Sequence, residues 1–387
     1  MSYQVLARKW RPRDFASLVG QEHVVRALRH GLEQQRLHHA YLFTGTRGVG
    51  KTTLARILAK CLNCEGGITA EPCGHCGACT EIDAGRFVDL LEVDAATNTK
   101  VDEMRQLLES AQYAPTRARY KVYVIDEVHM LSTSAFNAML KTLEEPPEHL
   151  KFILATTDPQ KIPVTVLSRC LQFNLKQMPR ASISAHLAKL LAAEGIDFEP
   201  AALTPIARAA AGSMRDGLSL LDQAIAHGAG RVSVDSVQEM LGAIDRGVLI
   251  ALLEAVADGN GREVMRIADE MQLRSLAFDT ALADLASLLL QVALAQTVPE
   301  ALEDDLPERP RIEALAAKLD PEIVQLDYEI ALQGRSDLPL APDEYAGFVM
   351  ALLRMVAFRI EQPGERPKSS APAAKSVPVR AGKPAAS

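Results

Sequence analysis

The chain has 387 residues, 48% of them hydrophobic and 24% charged, with a formal net charge of −7. That length exceeds one ordinary core and predicts two or three domains; the balance is that of a folded soluble protein and excludes a chain coated in basic residues, while leaving room for a local nucleic-acid surface. No run of about 18 apolar residues is read in the chain, and residues 1–10 lack the apolar stretch of a secretory signal, so a cytoplasmic chain with no membrane partner is expected.

In chain order, apolar runs of strand length fall at 39–44, 88–93, 121–125 and 151–156, with amphipathic segments of helix length between them. The alternation predicts an α/β core over 1–179, a parallel sheet with helices on both faces. From 180 to 242 the strand signals stop, and short Ala/Leu-rich helices are predicted at 183–194 and 214–227. Residues 243–362 read as a third, all-helical stretch with Pro and Gly at its turns. Residues 363–387 switch to Pro, Ala, Ser and scattered Lys/Arg. Such a segment buries too little apolar surface to offset its ordering entropy and is expected to be disordered. It has the character of a linker, so the chain reads as a fragment or a shortened form.

Gly45-Thr46-Arg47-Gly48-Val49-Gly50-Lys51-Thr52 fits GxxxxGK[ST], follows the apolar run at 40–43 and opens a helix predicted from Thr53. The glycines let backbone N–H groups turn inward around phosphates, and the helix N-terminus adds partial positive charge. Lys51 is expected on the β- and γ-phosphates of ATP, and Thr52 on Mg²⁺ through its hydroxyl. Downstream, Val122-Tyr123-Val124-Ile125 has a buried-strand pattern ending in Asp126-Glu127-Val128-His129. A carboxylate at that strand end beside the phosphate loop can orient Mg²⁺, which assigns Asp126, and Glu127 can then polarise the attacking water as general base. Two solvated acids capping a helix would carry the same letters; the phosphate loop upstream favours the catalytic reading.

Cys64-x8-Cys73-x2-Cys76-x2-Cys79 places four thiols in an insert over 61–82. A chain without an export signal does not need a disulfide framework, and two CxxC turns can present paired thiolates to one tetrahedral Zn²⁺. Four thiols leave no open coordination position, so the expected role is structural. His75 can stand in for a ligand, and a redox Cys73–Cys76 pair is the competing reading. Cys61 and Cys170 read as packed thiols.

These motifs, in this order, resemble the AAA+ clamp-loader ATPases and, within them, the gamma/tau family of bacterial DNA polymerase III. Besides the phosphate loop and Asp126-Glu127-Val128-His129, the resemblance rests on Leu143-Glu144-Glu145-Pro146-Pro147, Ser168-Arg169-Cys170, and the opening Leu6-Ala7-Arg8-Lys9-Trp10-Arg11-Pro12 with Val19-Gly20-Gln21-Glu22. It covers residues 1–360 and implies a RecA-like core, a small helical lid over 180–242, and a helical collar over 243–362 that holds five subunits in a ring. It also implies that Thr156 or Thr157, with Thr157 favoured, is sensor 1. Arg169 then points across the subunit boundary at a neighbour's γ-phosphate, and Arg215, in Gly212-Ser213-Met214-Arg215-Asp216, is the lid's sensor 2. An Arg215 simply paired with Asp216 is the plainer alternative.

The implied activity is ATP-driven opening of a sliding clamp and its loading onto primed DNA. The implied partners are further copies of the chain, delta and delta-prime subunits, the clamp and, in a longer form, the polymerase core and the helicase. DNA in such a ring is gripped by its phosphates, which makes Lys100 and Arg105 the candidate contacts. Asp102, Glu103 and Glu109 share that helix, so a solvated face is the competing reading. Gln112-Tyr113-Ala114-Pro115 matches the segment that presses on the clamp, and Tyr113 can equally pack inside. A branch-migration motor is disfavoured by the cysteine insert and Ser168-Arg169-Cys170. A catalytically silent scaffold is disfavoured by Lys51 with Asp126-Glu127.

Overall fold

The computed structural model describes residues 4–97, 101–242, 245–274, 276–302 and 308–358. The expected disordered segment at 363–387 lies outside the described residues. The chain divides into two compact units, Met1–Leu241 and Gly242–Ser387.

In the first unit, β1 (Ala40–Thr44), β2 (Leu90–Asp94), β3 (Lys121–Asp126), β4 (Leu150–Thr156) and β5 (Leu171–Asn174) form one parallel sheet in the order β2-β3-β4-β1-β5. The helices of this part are α1 (Leu6–Lys9), α2 (Glu22–Glu33), α3 (Lys51–Asn63), α4 (Gly77–Ala84), α5 (Val101–Ala111), α6 (Thr133–Glu144) and α7 (Val164–Leu167). Every residue of β1 and β4 is buried, as strands covered on both faces must be. Alternate residues feed opposite cores. Leu42, Tyr123, Ile125 and Phe152 pack with Phe136 and Met139 of α6, whereas Phe43, Val122, Val124 and Ile153 pack with Leu54 and Leu58 of α3. The strand order reverses direction around β1, and in open α/β sheets ligands bind at the carboxyl end of such a switch point.

Two details depart from the sequence reading. Helix α3 begins at Lys51 rather than Thr53, so the last two motif residues already lie in its first turn. Strand β5 was not anticipated, because as an edge strand it leaves three of four residues exposed and carries no apolar run.

The rest of this unit holds α8 (Arg180–Glu194), α9 (Leu203–Ala209), α10 (Met214–His227) and α11 (Val234–Leu241). The strand signals do not stop altogether there. Two-residue strands β6 (Asp197–Phe198) and β7 (Arg231–Val232) pair in parallel, too short to leave a pattern in the sequence. The apolar cluster of these helices also takes in Leu6 and Trp10 from the start of the chain.

The second unit is helical among its described residues: α12 (Arg246–Ala257), α13 (Gly261–Leu273), α14 (Phe278–Thr297), α15 (Arg309–Lys318), α16 (Pro321–Asp337) and α17 (Glu344–Ala357). By length and composition α14 is apolar enough to cross a membrane, a stretch the sequence reading passed over. Its Ala281, Leu282, Leu285, Leu289 and Val292 are buried in this unit's core against Phe348 and Leu352 of α17, which accounts for that composition.

Candidate functional site

The loop from Gly45 to Gly50 leaves the carboxyl end of β1 and turns into α3. Gly45, Gly48 and Gly50 have φ of 140°, 78° and 105°, a region that side-chain-bearing residues seldom adopt. At Gly48 space is limiting as well. A Cβ there would stand 1.8 Å from Ser213 Oγ, so the loop and the start of α10 meet where only a hydrogen fits. Ser213 is held in place as the N-cap of α10, accepting from the Asp216 N–H. The Ser213-x-x-Asp216 cap was readable in the sequence; its contact with Gly48 was not.

A cavity of about 1200 Å³ opens over this loop, and Arg47, Gly48, Val49, Gly50, Lys51, Thr52 and Thr53 line it, as do Asp126, Glu127 and Arg215. Gly45 and Thr46 are not part of the lining; their carbonyl oxygens accept from Lys51 Nζ at 2.8 and 3.0 Å. Burial holds the Lys51 ammonium below the usual lysine range, and the nearby Glu127 and Asp126 carboxylates oppose that shift.

Thr52 Oγ1 donates to Asp126 Oδ2 at 2.6 Å. The two oxygens assigned to one magnesium thus meet across the gap between α3 and β3. Hard oxygen donors from a hydroxyl and a carboxylate fit Mg²⁺, which keeps several waters and takes few protein ligands. Glu127, the next residue, has a φ of 47°, unusual for a residue with a side chain and costing about 1–3 kcal/mol. Its Oε2 accepts from Thr157 N at 3.2 Å and from Thr157 Oγ1 at 2.9 Å. Thr156 instead bonds the His129 ring, Nδ1 to Oγ1 at 2.9 Å, and that ring nitrogen also lies 3.4 Å from Glu127 Oε2. Of the two threonines, Thr157 touches the proposed base directly and Thr156 touches it through His129. The sequence reading did not single out His129.

Arg11, another cavity residue without a sequence-level role, donates from Nε to Thr53 Oγ1 at 3.3 Å. Burial and then the nearby Arg56 hold its guanidinium below the ordinary arginine range. Arg169 is elsewhere. Leu171 pairs with Tyr41, which sets Arg169 near the level of His39 at the opposite end of the sheet from Gly45. Arg169 donates from Nη2 to Glu144 Oε1 at 2.7 Å and from Nη1 to the Thr165 carbonyl at 2.6 Å. Lys100 lies outside the described residues, and of Arg105 only its place in α5 is described. Tyr113 is 73% exposed and so presents its ring outward.

The four cysteines converge: the Sγ atoms of Cys64, Cys73, Cys76 and Cys79 all lie within 4.8 Å of one another. Tetrahedral Zn²⁺ with bonds of about 2.3 Å spaces its sulfurs about 3.8 Å apart, so the set needs only slight tightening to fit. Backbone N–H groups of Cys73, Cys76 and Cys79 donate to the sulfurs of Cys64, Cys73 and Cys76 at 3.5, 3.3 and 3.4 Å. The backbone N–H of His75, then that of Cys76, brings the Cys73 thiol down to about 6, whereas burial pushes Cys79 up. The His75 ring bonds the Cys73 carbonyl. Cys61 and Cys170 are buried apart from the cluster, and burial pushes both thiols up to about 12. The insert is tied to the phosphate-loop helix by one contact absent from the sequence reading. Lys60 of α3, 1% exposed, meets Asp83 of α4 at 2.7 Å.

Three family models match in succession. One described as DNA polymerase III, delta subunit, matches residues 20–179; one for the ATPase lid domain of a DNA polymerase III clamp loader subunit matches 182–230; one for domain III of DNA polymerase III subunits gamma and tau matches 232–369. The chain is similar to DNA polymerase III subunit tau of Escherichia coli (strain K12), 55% identical over 369 residues, covering 95% of this chain and 57% of that one. It is similar to DNA polymerase III subunit gamma of Buchnera aphidicola subsp. Acyrthosiphon pisum, 44% identical over 359 residues, covering 92% of this chain and 99% of that one. Against the longer relatives from Escherichia coli, Salmonella typhimurium and Haemophilus influenzae, the chain spans 57%, 61% and 52% of their length. Of solved structures, the RuvB Holliday junction branch migration motor of Thermotoga maritima is 20% identical with a TM-score of 0.46, over 64% of this chain and 79% of that one, a likeness too slight to carry an argument.

Proposed function

The chain belongs to the DNA polymerase III gamma/tau family, and from that premise we propose that it is an ATP-hydrolysing motor subunit of a clamp loader. Residues 1–179 form the ATPase core with its zinc module, 180–242 the lid, and 243–362 the collar that joins subunits. The partners are further copies of itself, delta- and delta-prime-type subunits, a sliding clamp and primed DNA, in the cytoplasm. The observation that carries the reading is the meeting of Thr52 and Asp126 at 2.6 Å beneath the glycine loop, with Glu127 beside them.

Backbone N–H groups of residues 45–52 enclose the phosphates, and Lys51 moves its ammonium from the Gly45 and Thr46 carbonyls onto them. Thr52 and Asp126 hold Mg²⁺, which when bound neutralises charge on the phosphate oxygens. Glu127 takes a proton from the attacking water, and Thr157 sets where its carboxylate rests between turnovers. Arg215 brings the lid onto the phosphates of its own subunit. Arg169 acts on a neighbour's γ-phosphate, where a guanidinium fork offsets developing charge, a reading supported by its place just before the amino end of β5, away from the carboxyl end of β1 that carries the phosphate loop. The four cysteines hold Zn²⁺ as a structural brace.

The test mixes two variants. Arg169→Ala alone is expected to be nearly inactive, since removing an arginine finger costs about 10³–10⁵ in rate in GTPases. Lys51→Ala alone is inactive too. Mixed, with exchange confirmed by labelled subunits, they regain part of the ATPase activity wherever an intact loop meets an intact Arg169. No recovery despite exchange would sink the interface mechanism.

A further inference from the structure

Arg169 does not hang free on the surface. Its Nη1 donates to the Thr165 carbonyl in α7 and contacts Ser168 Oγ at 3.4 Å, while Nη2 donates to Glu144 Oε1 at the last residue of α6. Two elements therefore grip one guanidinium from its own chain. An arginine fork has five N–H donors, so Nε–H and one Nη2–H remain for a further anion.

We propose that Glu144 is a positioning residue for Arg169, fixing the guanidinium so that its remaining donors meet the neighbouring subunit's phosphate already oriented. This rests on the reading of Arg169 as a finger acting in trans. An unrestrained arginine samples many rotamers and loses that freedom at every engagement; a carboxylate 2.7 Å away removes much of it beforehand. The pair is a poor candidate for a purely structural bond. Glu144 is 52% exposed and Arg169 32%, and exposed pairs contribute little to stability. The end of α6 is anchored without it by Leu143, which is buried in the core. Glu145, next in sequence and also exposed, is not among the hydrogen-bond or ion-pair partners of Arg169 and supplies an internal control.

The experiment uses the assembled ring with clamp and primed DNA. Glu144→Ala is expected to lower kcat about three- to fivefold, the upper part of what an exposed ion pair can carry, with KM and binding of a fluorescent ATP analogue unchanged. Glu144→Gln, which keeps an oxygen acceptor, falls less, and Glu145→Gln matches the parent. Because Glu144 acts through Arg169, adding Glu144→Ala to Arg169→Ala lowers the residual rate no further. Parent-like kcat in Glu144→Ala beside an inactive Arg169→Ala overturns the positioning role alone. An equal loss from Glu144→Ala in the Arg169→Ala background overturns it also, since the residue would then act elsewhere. An active Arg169→Ala strikes instead at the trans-finger reading.

Discussion

Replacing Asp83 with Asn is expected to destabilise the first unit more than replacing the lysine it pairs with. Lys60 is 1% exposed, its Nζ 2.7 Å from Asp83 Oδ1 and also donating to the Arg13 carbonyl. Removing one partner of a buried ion pair costs about 3–5 kcal/mol because the other charge stays buried alone. Asp83 is 24% exposed, so water already screens the pair, and about 2–3 kcal/mol is the expected loss for Asp83→Asn. Lys60→Met keeps the apolar stem and removes the charge, leaving only an Asp83 that water can reach; about 1 kcal/mol is expected. Asp83→Asn added to Lys60→Met then costs almost nothing more. Trp10, the chain's single tryptophan, lies in the first unit and reports its urea unfolding by fluorescence at fixed zinc; unchanged m-values would confirm that only stability moved. A loss under about 0.5 kcal/mol for Asp83→Asn, or a larger loss for Lys60→Met, would refute the reasoning that a buried ammonium depends on this carboxylate.

Elemental analysis of freshly purified protein is expected to find about one Zn²⁺ per chain, and Cys73→Ser to loosen the insert while nucleotide binding persists. Absence of zinc, or a Cys73–Cys76 disulfide, would defeat the metal assignment. Stimulation by DNA is expected to weaken as salt rises, and neutralising Lys100 and Arg105 together to reduce the logarithmic salt slope by about 1.8, two phosphate contacts' worth. An unchanged slope would move the DNA surface to other residues.

What the sequence disclosed was whatever chemistry packs into a short span. The phosphate loop and the cysteine quartet are each local, and the structure brings their members together as the spacing required. The buried strands were legible because both faces are apolar. Strand β5 was not, for its Leu171, Gln172 and Asn174 face outward at an edge. Contacts joining distant segments left no local trace: Gly48 against Ser213, Lys60 with Asp83, and Arg169 with Glu144. Each of these residues reads alone as a loop, surface or helix residue; the connections between sheet strands set Lys60 beside Asp83 and Arg169 beside Glu144, and the packing of α10 against the phosphate loop sets Ser213 beside Gly48.

The opening residues also set a limit on how the lid can travel. Leu6 N donates to Asp222 Oδ2 and Trp10 Nε1 to Glu194 Oε1, so this segment is pinned to α10 and α8. Three residues later the Arg13 carbonyl is held by Lys60 at the far end of the phosphate-loop helix. Fully stretched, three residues reach about 10 Å. The strand of chain between them is a leash of that length. While both pins hold, α8 and α10 cannot separate from the phosphate-loop helix by more than that length allows. Whatever pulls on the lid is felt, within that slack, by the helix that carries Lys51 and Thr52.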